Sequence, residues 1–122
     1  MAGRSLESFV LETGYADLPP DVIQQAKRCL LDLIGVAAAG STTELSGIIR
    51  NHAARHFAAG DAGARMLFDG RLVSAVGAAL ANGMTIDAYD AHDGHPLVKG
   101  HVGCGVLPAL LAFYQAEKIS DP

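Results

Sequence analysis

Tryptophan is absent, and four Phe and three Tyr are the only aromatics. With so few rings, none interleaved with basic residues, a stacking surface for single-stranded nucleic acid is excluded. Charge is also scarce: 18% of residues are charged, and nine Lys and Arg stand against thirteen Asp and Glu, a net charge of −4. That balance gives no electrostatic reason to bind nucleic acid or an anionic membrane. The two cysteines, Cys29 and Cys104, lie far apart and make neither a disulfide framework nor a zinc pattern. They read as reduced thiols of a cytoplasmic protein. The longest apolar run, residues 30–40, is interrupted by Asp32 and is too short to span a bilayer. Residues 1–9 hold Arg4 and no apolar core, so no signal peptide is expected. Repeats and low-complexity tracts are missing as well.

What remains is apolar and small-residued. Half of the 122 residues are hydrophobic and fourteen are glycine, enough to bury a core within one domain. The spacing predicts helices almost throughout. Leu6, Phe9 and Val10 recur at helical spacing behind Ser5 as N-cap, in a helix that ends near Gly14. Pro19-Pro20-Asp21 breaks the chain and opens a second helix over residues 22–39. Its apolar face is Val22, Ile23, Ala26, Leu30, Leu33, Ile34 and Ala37, with Gln24, Gln25, Lys27, Arg28 and Asp32 mostly elsewhere and Gly40 as the stop. Residues 41–44 start a third helix carrying Leu45, Ile48, Ile49, His52, Ala53 and Phe57. Residues 65–68 are either a short strand or an extended connector. A fourth helix begins near Val73 with Val76, Ala79, Leu80 and Met84, and Gly77 and Gly83 imply close packing. A fifth runs over residues 106–118 with Pro108 in its first turn, where no N–H is needed. The expected class is all-α, a helical bundle.

Between the last two helices lies the densest polar stretch, residues 82–105. It holds His92, His95 and His101, together with Asp87, Asp90, Asp93 and Lys99. Imidazoles titrate near neutrality and suit general acid–base work. Aspartates can orient them, Lys99 can neutralise a carboxylate, and the glycines at 100, 103 and 105 let backbone N–H groups approach an anion. The set suits proton transfer at a carbon beside a carboxylate. A bland alternative is a solvated loop with a helix cap. Lys99 then reads as a surface charge, and His52 and His56 as surface or core-edge residues. His92, Asp93, His95 and His101 could also be weighed as metal ligands, but their spacing matches no standard zinc pattern and no metal is expected.

Several blocks in order carry a family resemblance. Asn82-Gly83, Asp90, the His/Asp/Gly-rich loop and His101-Val-Gly-Cys-Gly-Val-Leu-Pro108-Ala-Leu-Leu-Ala resemble the signature of MmgE/PrpD proteins, the 2-methylcitrate dehydratase-like lyases and isomerases. Residues 18–40 and 74–83 are similar to earlier blocks of that family. The resemblance implies an N-terminal part of a larger helical domain spanning residues 1–122, with the smaller second domain and downstream helices lying beyond it. It implies a cofactor-free lyase or isomerase (dehydratase, decarboxylase or epimerase) acting on small di- or tricarboxylates, usually as a homodimer. Asp90 matches the aspartate that opens the family's loop, and His101 the histidine before its glycine-rich step. These two are the expected catalytic residues, with His92, Asp93, His95 and Lys99 as substrate-binding candidates. Where the family often has Asp-Asp-Thr, His92-Asp93-Gly94 stands here, without the threonine hydroxyl. The ending at Asp121-Pro122 reads as that of a fragment or split gene product. Its partner is then a second copy or a missing C-terminal portion, and the alternative is a non-catalytic helical remnant or partner-binding module.

Overall fold

The computed structural model describes residues 5–97 and 99–118. The first four residues, part of the stretch expected to hold no signal peptide, and the Asp121-Pro122 ending lie outside them. Among the described residues, five α-helices and two short strands follow one another. They are α1 (Leu6–Glu12), α2 (Pro20–Gly40), α3 (Glu44–His56), β1 (Gly63–Arg65), β2 (Leu72–Ser74), α4 (Ala75–Asp87) and α5 (Gly103–Ala116), with a 3₁₀ turn at Tyr15–Asp17. The molecule is mostly helical, as the all-α class requires, with one small hairpin added. None of the described helices is long and apolar enough to cross a membrane.

Local chemistry sets most of the boundaries. Ser5, Thr43 and Ser74 each occupy an N-cap and accept a backbone N–H three residues on, satisfying donors that the first turn leaves open. Pro20 occupies the first position of α2, where its fixed φ fits, and Asp21 follows in the first turn beside the positive end of the helix dipole. Two expectations are corrected. Residues 72–74 pair antiparallel with residues 63–65, so α4 begins after Ser74 rather than near Val73. Pro108 lies inside α5 rather than in its first turn. Its missing N–H deprives the Cys104 carbonyl of its usual partner four residues on. That carbonyl faces α4, and a Cβ on Gly83 would meet it at 2.9 Å.

Two apolar clusters form the core. Ile49 and Ala53 of α3, Ala64, Met66 and Val73 of the hairpin, Ala78 and Ala81 of α4 and Ala112 of α5 make the first. Leu33, Val36 and Ala37 of α2 with Ile86 of α4 make the second. Helix α4 lies between them and buries Gly77, Ala78, Ala81, Asn82, Thr85 and Ile86. The larger apolar residues Val76 and Leu80, which the sequence offers for that side, are both exposed. Apolar residues occur on every side of α4, so its periodicity cannot select a face, and packing against its neighbours decides. Gly40 shows the same constraint. It is the last residue of α2, and a Cβ there would collide with the Thr85 carbonyl. It therefore admits α4 rather than merely stopping a helix.

Buried polar groups fasten these contacts. Ser46 and Thr85 hydroxyls meet at 2.7 Å, fully buried. Asn82 accepts the Leu67 N–H at 2.7 Å and donates to the Arg65 carbonyl at 3.4 Å, tying the connector after β1 to α4. The turn between the strands is held by Asp69, whose carboxylate takes two hydrogen bonds from the Arg71 guanidinium, at 2.6 and 2.7 Å, and one from the Arg71 N–H. These bonds hold its carboxyl below the ordinary aspartate range.

By contrast, α1 buries no residue, and Leu6, Leu11, Tyr15 and Leu31 are each more than two-thirds exposed. The apolar positions Val22, Leu30 and Ile34 of α2 are also exposed, and only its C-terminal half enters the core.

Two measurements test these fastenings. Asn82→Ala leaves the Leu67 N–H without its partner and should cost about 1–3 kcal/mol in denaturant unfolding. An unchanged midpoint would remove Asn82 from the tie. Asp69→Asn should cost ~1 kcal/mol near neutral pH, because the pair is partly exposed. A depressed native pKa stabilises above the unfolded-state value of about 3.9 and ceases to do so as pH falls through the native value. The difference between wild type and Asp69→Asn should therefore close in acid. A difference constant from neutral pH to strong acid would show that the ionised pair is not its source.

Candidate active site

The polar stretch after α4 folds back on itself before α5 begins. Asp90 leaves the helix end with φ of 44°, a left-handed conformation that aspartate tolerates better than most residues. His95 and Gly100 then form an antiparallel bridge, closed by the Lys99 N–H donating to the His95 carbonyl at 2.8 Å. Lys99 has φ of 49° at this tight reversal. Asp93 joins the loop to the helix that follows, its carboxylate accepting the Gly103 N–H at 3.1 Å. This is the first residue of α5, where open N–H groups and the helix dipole favour an anion. Gly103 is required at this point, since a Cβ would strike both the Asp93 carboxylate and Leu33.

His101 is the centre of the resulting cluster. Its Nδ1 lies 2.9 Å from the Asp93 backbone carbonyl. A carbonyl only accepts, so Nδ1 carries the proton and neutral His101 presents Nε2 as its base. Asp90 Oδ1 stands 3.6 Å from that Nε2. The His92 ring packs on the other side, centroid to centroid at 4.4 Å.

His92 has a different environment. Its side chain is fully buried, with Nε2 3.6 Å from Asp87 Oδ1. Neither ring nitrogen has a hydrogen-bond partner, and Asp93 Oδ1 is likewise buried and unpartnered. Leaving such groups unsatisfied costs on the order of 1–3 kcal/mol each, so they call for a functional explanation. Beside them, burial together with the carboxylates of Asp87 and Asp93 pushes the Cys104 thiol pKa upward.

Two cavities adjoin this cluster. One, of about 370 Å³, is lined by Gly94, His95, Pro96, Lys99, Gly100 and His101. The other, of about 510 Å³, lies between the loop and α2 and includes Gln25, Arg28, Cys29, Asp32, Asp93 and His95. Of the residues expected from the sequence, Asp90, His92, Asp93 and His101 come together at the start of α5. His95 and Lys99 lie at the loop tip and share the smaller cavity with His101. His92 is enclosed rather than presented to a cavity.

Sequence reasoning names Asp87 only as one of three aspartates able to orient an imidazole, and it does not single out Cys104 or the polar stripe of α2. The stripe has a signal, because Gln25, Arg28, Cys29 and Asp32 follow the spacing of one helical face. Asp87 and Cys104 have none beyond the local density of titratable groups.

A mostly helical domain with an imidazole–carboxylate cluster on a glycine-rich loop, ahead of a buried helix proline, is thus the class defined by fold and site. The family model described as the MmgE/PrpD N-terminal domain matches residues 4–121, and the chain belongs to that family. Neither curated proteins nor solved structures give a significant match.

Proposed function

We propose that this domain contributes an acid–base site to a cofactor-independent lyase or isomerase, of dehydratase, decarboxylase or epimerase type, acting on small di- or tricarboxylates in the cytoplasm. The observation carrying this reading is one cavity walled by His95, Lys99 and His101, with His101 oriented by the Asp93 carbonyl and faced by Asp90. Lys99 and His95 supply donors and positive charge for a carboxylate. His101 Nε2 takes the proton from the carbon beside that carboxylate, and the C–H electron pair passes into the carboxylate-stabilised carbanion. Asp90 stabilises the imidazolium. Return of that proton to the carbon gives isomerisation, whereas its delivery from His101 to a β-hydroxyl, with the C–O bond breaking as the carbanion pair forms the C=C bond, releases water and gives a lyase. Asp93 acts through His101 and α5. The buried His92 braces His101 from behind, a role that needs no contact with substrate.

The test is a panel of 2-methylcitrate, citrate, cis-aconitate and iminodisuccinate incubated with the chain in D₂O, alone and with a downstream portion of the family supplied in trans. NMR would follow exchange and turnover. His101→Asn should lower the rate about 10²–10⁴-fold while preserving the fold. A folded His101→Asn protein with full activity would remove His101 from the chemistry.

A second reading, a partner-binding or dimerisation module, is favoured by the exposed apolar side chains of α1 and the first half of α2. Tyr15, Leu18, Ile23, Ala26 and Leu30 line an apolar groove of about 260 Å³ there. Unpartnered surfaces of this kind mark interfaces. Sedimentation should show self-association, or complex formation with the downstream portion, weakened by Leu31→Glu. A monomer that ignores the downstream portion would oppose this reading.

A further inference from the structure

We propose that Asp87, His92 and Cys104 form a binding site for a borderline-soft divalent cation of the zinc class. The three residues come from the end of α4, the following loop and the first turn of α5, and each contributes one ligand atom. These atoms all lie within 4.8 Å of one another. Metal–ligand bonds of about 2.0–2.3 Å place the donors of a tetrahedral ion roughly 3.3–3.8 Å apart. His92 Nε2 and Asp87 Oδ1, at 3.6 Å, already have that separation. Rotation of the Cys104 side chain, whose thiol otherwise donates to the His101 carbonyl at 3.1 Å, would complete the set.

A second observation points independently to a ligand. The His92 side chain has no solvent exposure and neither ring nitrogen has a hydrogen-bond partner. An imidazole nitrogen in that condition, directed at a carboxylate with a thiol alongside, has the environment of a metal donor. The donor chemistry selects the ion. Thiolate and imidazole suit zinc or cobalt and disfavour magnesium and calcium, which take oxygen ligands. Asp87 and Cys104 also line a cavity of about 340 Å³ with Gly83, Met84 and Gly105. It borders the Asp87 and Cys104 side of the site, with room for a fourth ligand such as water, while His92 closes the opposite side. Four residues separate Asp87 from His92 and eleven separate His92 from Cys104. That spacing fits no standard zinc pattern, so only the fold brings the three donors together. The ion would pin α4 to α5 behind the His92 ring that packs on His101, so the acid–base reading does not depend on it.

Cobalt(II) is the probe. The full chain, reduced and stripped with a chelator, is titrated and followed by absorption. One equivalent should saturate a thiolate-to-cobalt charge-transfer band together with visible bands of tetrahedral intensity, and zinc should displace both. Cys104→Ser should abolish the charge-transfer band, and Asp87→Asn or His92→Gln should weaken binding at least about tenfold. Cys29→Ser and the double variant His52→Asn/His56→Asn should change neither, which excludes the other thiol and the histidine pair of α3. Absence of the charge-transfer band in the folded wild type would overturn the proposal. So would a band that survives Cys104→Ser, or one lost with Cys29→Ser. The wild-type titration decides by itself, and Asp87 is exposed at a helix end, so a folding defect in His92→Gln would not rescue the proposal.

Discussion

The close crossing of α4 and α5 is the contact on which the functional end of the molecule depends. It is possible because Gly83 has no side chain where the Cys104 carbonyl, left without a partner by Pro108, faces α4. A larger side chain at position 83 would push α5 away. The start of α5 holds Gly103 against Asp93 and Leu33, so displacing the helix would also displace the loop bond that aligns His101. Core packing and site geometry are therefore one constraint. The protein interior transmits sub-ångström changes because it is close-packed.

The loop in turn organises charge by backbone rather than by ion pairs. His101 is oriented by a carbonyl, Asp93 by an N–H at a helix start, and the loop tip by a bridge between His95 and Gly100. The side chains of His95 and Lys99 line the smaller cavity. The Asp93 carbonyl also fixes the tautomer of the neutral His101 ring.

Much of this was legible in the sequence, and the failures share a cause. Caps, breaks and helix count followed from Ser5, Pro19-Pro20, Thr43 and the apolar spacing, because those signals act over three or four residues. The cluster of Asp90, Asp93 and His101 was legible as composition, since its members lie close along the chain. Which face of α4 turns inward was not, because Val76 and Leu80 are as apolar as Ala78 and Ala81, and only packing against α2, α3 and α5 decides. The burial of His92 was equally hidden: Asp90, His92, Asp93 and His95 look alike as loop polar residues, yet His92 alone is buried. The hairpin displaced the expected start of α4 because Leu72, Val73 and Ser74 suit strand and helix alike until Gly63, Ala64 and Arg65 are there to pair with them.

Helix α2 has two halves with different duties. Its C-terminal half supplies Leu33, Val36 and Ala37 to the core. The preceding turns expose Val22, Leu30 and Leu31 and also carry Gln25, Arg28, Cys29 and Asp32 along the larger cavity. These polar and apolar residues occupy neighbouring faces of the same turns. A surface that covered the apolar face would thus close over the cavity wall as well, excluding water and strengthening the electrostatics inside. Partner binding and acid–base chemistry need not be rival readings of this domain. The geometry of α2 makes the first a condition that would sharpen the second, because Arg28 and Asp32 would change from solvated charges into members of an enclosed site.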